Sequence, residues 1–161
     1  MSSTPAKSLG LIGLGVMGEN LALNFERNGF SVCGFDLDQG KRQQFAQRTQ
    51  GLQASVADTL PALVAALQTP RRILIMVPAG SAVDAVLGEL RPWLTAGDVV
   101  IDGGNTLYTD TARRIASLQD SGILYVGAGV SGGEEGALRG PALMPGGSPE
   151  AWPLVAPMLQ A

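Results

Sequence analysis

The stretch LGLIGLGVMGENLALNFERNG, residues 9–29, decides the fold. Its first five residues, LGLIG (9–13), read as a short buried strand. From Val16 the pattern changes: Met17, Leu21 and Phe25 recur every fourth residue, as on one face of a helix running to about Asn28, where Gly29 is a stop signal. Between strand and helix lies Gly13-Leu14-Gly15-Val16-Met17-Gly18, the pattern G-x-G-x-x-G. The first glycine permits a tight turn, the second lets a pyrophosphate approach the backbone, and the third lets helix and strand pack closely. The helix N-terminus offers unpaired N–H groups and positive partial charge to the anion. A strand–helix turn that merely happens to be glycine-rich would show the same three residues.

The next segment of the chain weighs against that plainer reading. A second strand, SVCGFD (31–36), ends in Asp36, 18 residues beyond Gly18. A carboxylate there can accept hydrogen bonds from the adenosine ribose hydroxyls of NAD, and its charge opposes the extra phosphate of NADP. Asp36-Leu37-Asp38 therefore bears on cofactor choice, with NAD preferred and NADP the alternative. Asp38 also suits a cap on the next helix, and Lys41 and Arg42 are close enough in sequence to turn back toward a phosphate.

The alternation continues along the chain. A polar helix is expected over 39–48 with Phe45 as its apolar contact, and a helix begins at Thr59-Leu60-Pro61 and runs through ALVAAL (62–67). RILIMV (72–77), DVVID (98–102) and ILYVGA (123–128) read as strands, SAVDAVLGEL (81–90) and TDTARRIASLQ (109–119) as helices. A glycine-rich loop then precedes a last helix from about Ser148. Unbroken apolar strands alternating with helices imply an α/β fold of Rossmann type, doubly wound, with a mainly parallel sheet covered on both faces. Residues 1–8 are expected as a disordered tail and 9–161 as one dinucleotide-binding domain.

Composition removes other classes. The net charge is −3 with 45% hydrophobic residues and no basic block, which argues against nucleic acid or an anionic membrane as partner. The lone Cys33 admits no internal disulfide, and MSSTPAKS is no secretory signal, so a cytoplasmic setting is expected. There is no histidine, and the lysines are Lys7 and Lys41 alone. The usual general bases are thus nearly missing, and no catalytic residue is assigned in this chain.

Two further segments come directly after strands. IDGGNT (101–106) presents Asn105, a donor and an acceptor, although an asparagine there is equally a turn residue. GAGVSGGEEGALRGPALMPGG (127–147) holds eight glycines in 21 residues, enough to bring backbone N–H groups to an anion or simply to turn the chain.

Taken together, GLGVMGENLALN, GDVVIDGGNTLYTDTARR and VSGGEEGALRGPALMPGG resemble the N-terminal cofactor domain of the decarboxylating 6-phosphogluconate dehydrogenases. The resemblance runs from about Leu9 to the end. It implies an oxidoreductase of the pentose phosphate pathway that converts 6-phosphogluconate to ribulose 5-phosphate and carbon dioxide without a metal. It also implies that Gly13 to Gly18, Val77, Pro78, Ala79 and Asn105 line the dinucleotide. Asn105, Ser131, Gly132 and Gly133 would touch the substrate. The 3-hydroxyisobutyrate-type dehydrogenases share the first loop and an S-G-G element and are the runner-up; a non-catalytic dinucleotide sensor is a third reading.

The sequence departs from the family pattern twice. Leu37 stands where NADP-using members carry arginine, within an Asn-Arg-Ser/Thr triplet here replaced by Asp36-Leu37-Asp38, and Pro78 stands where lysine is common. Both departures point to NAD. Family members continue into a helical domain that supplies the lysine base, the acid, the phosphate-binding residues and the homodimer contacts. The fragment alone is therefore expected to be inactive, and free to be a monomer.

Overall fold

The structure, a computed structural model, describes residues 5–161. Strand β1 (Leu9–Ile12) passes through the glycine turn into α1 (Val16–Arg27), and β2 (Val32–Phe35) into α2 (Gln39–Arg48). Then come β3 (Ala54–Val56), α3 (Leu60–Ala65), β4 (Arg72–Ile75), α4 (Ser81–Leu90), β5 (Val99–Asp102) and α5 (Tyr108–Leu118). The last elements are β6 (Leu124–Ser131), α6 (Gly133–Arg139), β7 (Ala142–Gly147) and α7 (Trp152–Leu159). The strands form one sheet in the order β3-β2-β1-β4-β5-β6-β7, parallel except for the antiparallel pair β6–β7. This is the expected doubly wound architecture. Its strand order reverses between β1 and β4, where open α/β sheets place ligands beyond the carboxyl ends of the strands.

Period-two alternation divides the core between the two faces. Leu74, Val99 and Ile101 pack with Leu21 and Phe25 of α1, Phe45 of α2 and Val155 and Met158 of α7. Ile73, Ile75 and Val100 turn the other way, toward Leu63 of α3, Leu87 and Leu90 of α4 and Leu118 of α5. Local signals set the helix starts: Asp38 Oδ1 accepts the Lys41 N–H at 3.2 Å, and Thr59 Oγ1 accepts the Ala62 N–H at 3.2 Å. No helix among the described residues is long and apolar enough to cross a membrane.

Two expectations need correction, and one strand is absent from the sequence reading. The segment 127–147 is not a loop: β6 runs on to Ser131, α6 comes next, and β7 returns along β6 from Ser131↔Ala142 to Val126↔Gly147. Pro145 is tolerated in β7 because an edge strand leaves one side of its backbone unpaired. Strand β3 is only three residues long and half-buried, too short to register as an apolar run. Lys7 and Ser8, placed in a disordered tail, are tied down. The Lys7 N–H donates to Ala66 O (2.8 Å), the Gln68 N–H to Lys7 O (3.0 Å) and the Ser8 N–H to Ser31 O (2.9 Å). A main-chain ladder needs no apolar side chains, so polar composition gives no warning of it. Residues 1–4 of that tail lie outside the described residues.

Candidate functional site

The first turn assigns its three glycines three different tasks. Gly13 has φ +100°, and a Cβ there would run into the carbonyl oxygen of Met76, so the β1 turn and the β4 turn can meet only through glycine. A Cβ at Gly18 would run into the carbonyl oxygen of Gly13, so α1 packs directly on the turn. Gly15 is the opposite case: a Cβ there would meet nothing within 4 Å. Gly15 occupies the N-cap position of α1 and, having no side chain, makes no capping hydrogen bond to the first-turn N–H groups. Open space in front of an uncapped helix N-terminus is what an anion needs. Val16 projects into solvent and Met17 is half-buried.

Asp36 sits just past the end of β2. Its Oδ2 accepts the Leu14 N–H and its Oδ1 the Asp38 N–H, both at 2.8 Å. The carboxylate is thereby fixed beside the glycine turn, half-buried, with lone pairs left for a further donor. A cavity of ≈ 260 Å³ opens here, lined among others by Gly13, Asp36, Leu37, Val77, Pro78 and Glu89. Its charged side chains are both acids. Arg42 does not turn toward it as a free cation: Nη1 donates to Asp36 O (2.7 Å) and Leu37 O (3.1 Å), and Nε lies 3.8 Å from Asp58. Asp38 lies outside this cavity and serves as the cap of α2.

The loops after β4 and β5 stand against each other. A Cβ on Gly104 would lie 2.8 Å from Val77 O and 3.5 Å from Ala79 N. Asn105 comes next with φ 56°, the left-handed region that asparagine tolerates better than most residues. Its Oδ1 accepts the Val130 N–H at 2.9 Å and its Nδ2 donates to Val130 O at 3.4 Å. The side-chain amide thus continues the β5–β6 ladder past the end of β5 and seats Asn105 one residue from Ser131. Ser131, Gly132 and Gly133 are all exposed at the junction of β6 and α6. The residues expected to meet the dinucleotide and those expected to meet the substrate therefore share one rim of the sheet.

Residues 8–161 match the family model described as the NAD binding domain of 6-phosphogluconate dehydrogenase. The chain belongs to this family. It is 56% identical over 154 residues to the decarboxylating 6-phosphogluconate dehydrogenase of Treponema pallidum, covering 95% of this chain and 32% of that protein. It is 50% identical to the NADP(+)-dependent, decarboxylating 6-phosphogluconate dehydrogenase of Bacillus subtilis, over 96% of this chain and 33% of that protein. Among solved structures it resembles Plasmodium falciparum 6-phosphogluconate dehydrogenase, described apo, with its cofactor NADP+ and with its substrate 6-phosphogluconate. The TM-score is 0.89 at 36% identity, over 94% of this chain and 33% of that one. The chain thus spans about a third of the length of these relatives. Relatives at 50% identity and above carry the 6-phosphogluconate name, which displaces the 3-hydroxyisobutyrate-type runner-up.

The domain also contains polar side chains that the sequence does not single out. Asp102, Arg114 and Tyr125 are essentially fully buried. Asp102 Oδ2 accepts from Tyr125 OH (3.0 Å), Arg114 Nη1 (3.3 Å) and Thr106 Oγ1, and Oδ1 accepts the Gly104 N–H (2.9 Å). Arg114 further donates from Nε to Asp84 Oδ1 (2.9 Å) and from Nη2 to Gly80 O (3.1 Å). Hydrogen bonds from Arg114 and Arg113 lower the Asp84 carboxyl to about 2. Burial first, and the Asp102 charge second, raise the Tyr125 phenol well above its ordinary value. Nearer the glycine turn, the buried Glu19 accepts from Arg48 Nη1 (2.8 Å) and Gln44 Nε2 (3.3 Å), binding α1 to α2. An acid ending an apolar strand, as in DVVID, is the one sequence signal that could have drawn attention to Asp102.

Proposed function

We propose that this chain is the dinucleotide-binding part of an oxidoreductase that oxidatively decarboxylates 6-phosphogluconate to ribulose 5-phosphate and carbon dioxide. We further propose that it takes NAD in preference to NADP. The observation that carries the reading is the conjunction of the empty face at Gly15, the uncapped start of α1 and the fixed Asp36 carboxylate. These residues fit a nicotinamide dinucleotide: open backbone for its pyrophosphate, an acceptor for its ribose hydroxyls, and an apolar-walled cavity beside both.

When bound, the nicotinamide ring supplies the acceptor for the hydride that leaves the substrate's C3 carbon. The binding and orienting roles on the cofactor side belong to this chain. N–H groups of Gly15, Val16, Met17 and Gly18 hold the pyrophosphate at the start of α1, while Gly13 and Leu14 shape the turn beneath it. Asp36 accepts from the adenosine ribose, Leu37 walls the cavity, and Asp38 fixes the loop by capping α2. Val77, Pro78 and Ala79 line the path toward the nicotinamide. Asn105, held on Val130, borders both ligands. Ser131, with Gly132 and Gly133, offers a hydroxyl and backbone N–H groups to the carboxylate end of the substrate. Proton transfer is assigned to no side chain of this chain. We assign the lysine base, its partner acid and the dimer contacts to a further helical domain, as the resemblance implies. The lone, buried Cys33 suits a cytoplasmic setting.

The relatives weigh for NADP: one is named for it and one is described in complex with it. This chain's own loop weighs for NAD. Asp36 is immobilised by two backbone N–H groups, Leu37 is 82% exposed and carries no charge, and Arg42 is committed to the carbonyls of Asp36 and Leu37. We give the local charges precedence, because they act directly where the additional phosphate would lie.

Titrating the purified chain with NAD and with NADP tests the cofactor assignment; tighter NADP binding would overturn it. Incubation with NAD and 6-phosphogluconate tests the half-site assignment, which expects no turnover and fails if NADH accumulates. A dinucleotide sensor without catalytic ancestry would have no use for the Ser131 rim. Binding of 6-phosphogluconate to the NAD-loaded chain, lost in Ser131→Ala, therefore supports the enzyme reading.

A further inference from the structure

The buried polar group behind the two loops touches neither ligand in the proposed function, and its geometry points to a different part. Asp102 accepts four hydrogen bonds. Two come from the turn that carries Asn105: the Gly104 N–H on one side of it and the Thr106 hydroxyl on the other. The other two come from groups outside that turn, Tyr125 of β6 and Arg114 of α5. Arg114 then reaches the neighbouring loop through Gly80 O, and the start of α4 through Asp84. The loop after β4, the loop after β5 and strand β6 are therefore fastened from behind by a cluster that is itself excluded from solvent.

We propose that Asp102, Arg114 and Tyr125 are positioning residues that set the nicotinamide end of the site through Asn105 and the 77–80 loop, leaving the adenosine end to the glycine turn and Asp36. The proposal rests on the dinucleotide-binding function proposed for this chain. Its physical basis is the cost of disorder in a buried polar network: a cluster in which every member is satisfied rigidifies what it touches, and losing one member leaves a buried group unpaired. Asp102 is completely enclosed, so a change there reaches a bound ligand only through the groups it holds: the turn of Asn105 directly, and the 77–80 loop by way of Arg114. The left-handed backbone of Asn105 is a minority conformation even for asparagine, so the fastenings on either side help to select it.

The test uses Asp102→Asn and, as a milder change that removes a single hydroxyl, Tyr125→Phe, both in the chain as it stands. Each is titrated with NADH and with ADP-ribose, which keeps the adenosine and pyrophosphate but has no nicotinamide. Hydrogen exchange at the Val130 N–H, whose acceptor is Asn105 Oδ1, is monitored without ligand. Both variants are expected to bind ADP-ribose within about twofold of the wild type and NADH about three- to tenfold more weakly, the worth of one hydrogen bond. Protection of Val130 should fall in both. Parallel weakening of NADH and ADP-ribose would mean a general structural role and would overturn the proposal. So would Tyr125→Phe with NADH affinity and Val130 protection both unchanged. If the wild type bound neither probe, the cofactor reading would fail, and Val130 protection would still decide whether Asp102 and Tyr125 position Asn105. Should Asp102→Asn not fold, Tyr125→Phe decides the matter alone.

Discussion

Asp36→Asn is the most informative single change in the chain. The carboxylate is pinned between the N–H groups of Leu14 and Asp38, each at 2.8 Å, so it cannot swing away from an incoming negative group. Two like unit charges about 4 Å apart at an effective dielectric near 20 repel by ~4 kcal/mol. The position is half-buried rather than enclosed, and water and salt reduce the penalty to about 1.4–3 kcal/mol, a factor of ten to more than a hundred. Asparagine keeps the shape and removes the charge. Its amide must present –NH2 to one of the two backbone donors, which costs about 1–3 kcal/mol of stability. That loss falls equally on both ligands and cancels in their ratio. The assay is calorimetric titration of the same preparation with NAD and NADP, at low and at raised salt. The wild type should favour NAD by about tenfold or more, the variant should shift the ratio toward NADP by a similar factor, and salt should narrow the wild-type ratio. A ratio that moves by less than about twofold would refute the electrostatic reasoning.

The glycines of the first turn should separate binding from stability. Gly15→Ala places a methyl in open space and should leave stability within about 0.5 kcal/mol while weakening dinucleotide binding. Gly18→Ala drives a methyl into the Gly13 carbonyl and should cost more than about 2 kcal/mol in urea denaturation. Deleting the Phe45 ring, which is fully buried against Gly34, should cost about 3–5 kcal/mol, read by the same denaturation with no change in the NAD-to-NADP ratio. Stability should also depend on pH at both extremes. Asp84 has a folded pKa of about 2, below the unfolded carboxyl value, so its contribution is intact above the unfolded value and is lost as pH falls toward 2. Tyr125 has a raised folded pKa, so its contribution is intact below pH 10 and is lost as pH rises beyond it; denaturation midpoints of Tyr125→Phe should lack that alkaline slope.

What could be read from the chain was local. G-x-G-x-x-G, the four-residue recurrence of Met17, Leu21 and Phe25, and an acid ending the second strand each depend on neighbours close in sequence. So do the caps at Asp38 and Thr59, which the structure places where expected. The hairpin of β6 and β7 was hidden because its glycines answer to distant groups. Gly147 lies against the Tyr125 carbonyl, Gly129 against Met144, and Gly127 against Thr111, so the segment shows no period of two. Arg114 was hidden for a related reason. TDTARRIASLQ shows two adjacent arginines, and only the fold sends one to Asp102 and leaves the other at the surface. Asn105 was visible as a residue able to donate and accept, but its engagement with Val130 required knowing that β6 is the neighbour of β5.

The most direct measurement is an amide-resolved NMR titration of the 161-residue chain with NAD. The largest shifts are expected at Leu14 to Glu19 and at Asp36 to Asp38, with smaller ones at Ala79 and Asn105. Saturating NAD that left the amides of Gly15 and Asp36 in place, or moved only those of a different surface, would contradict it.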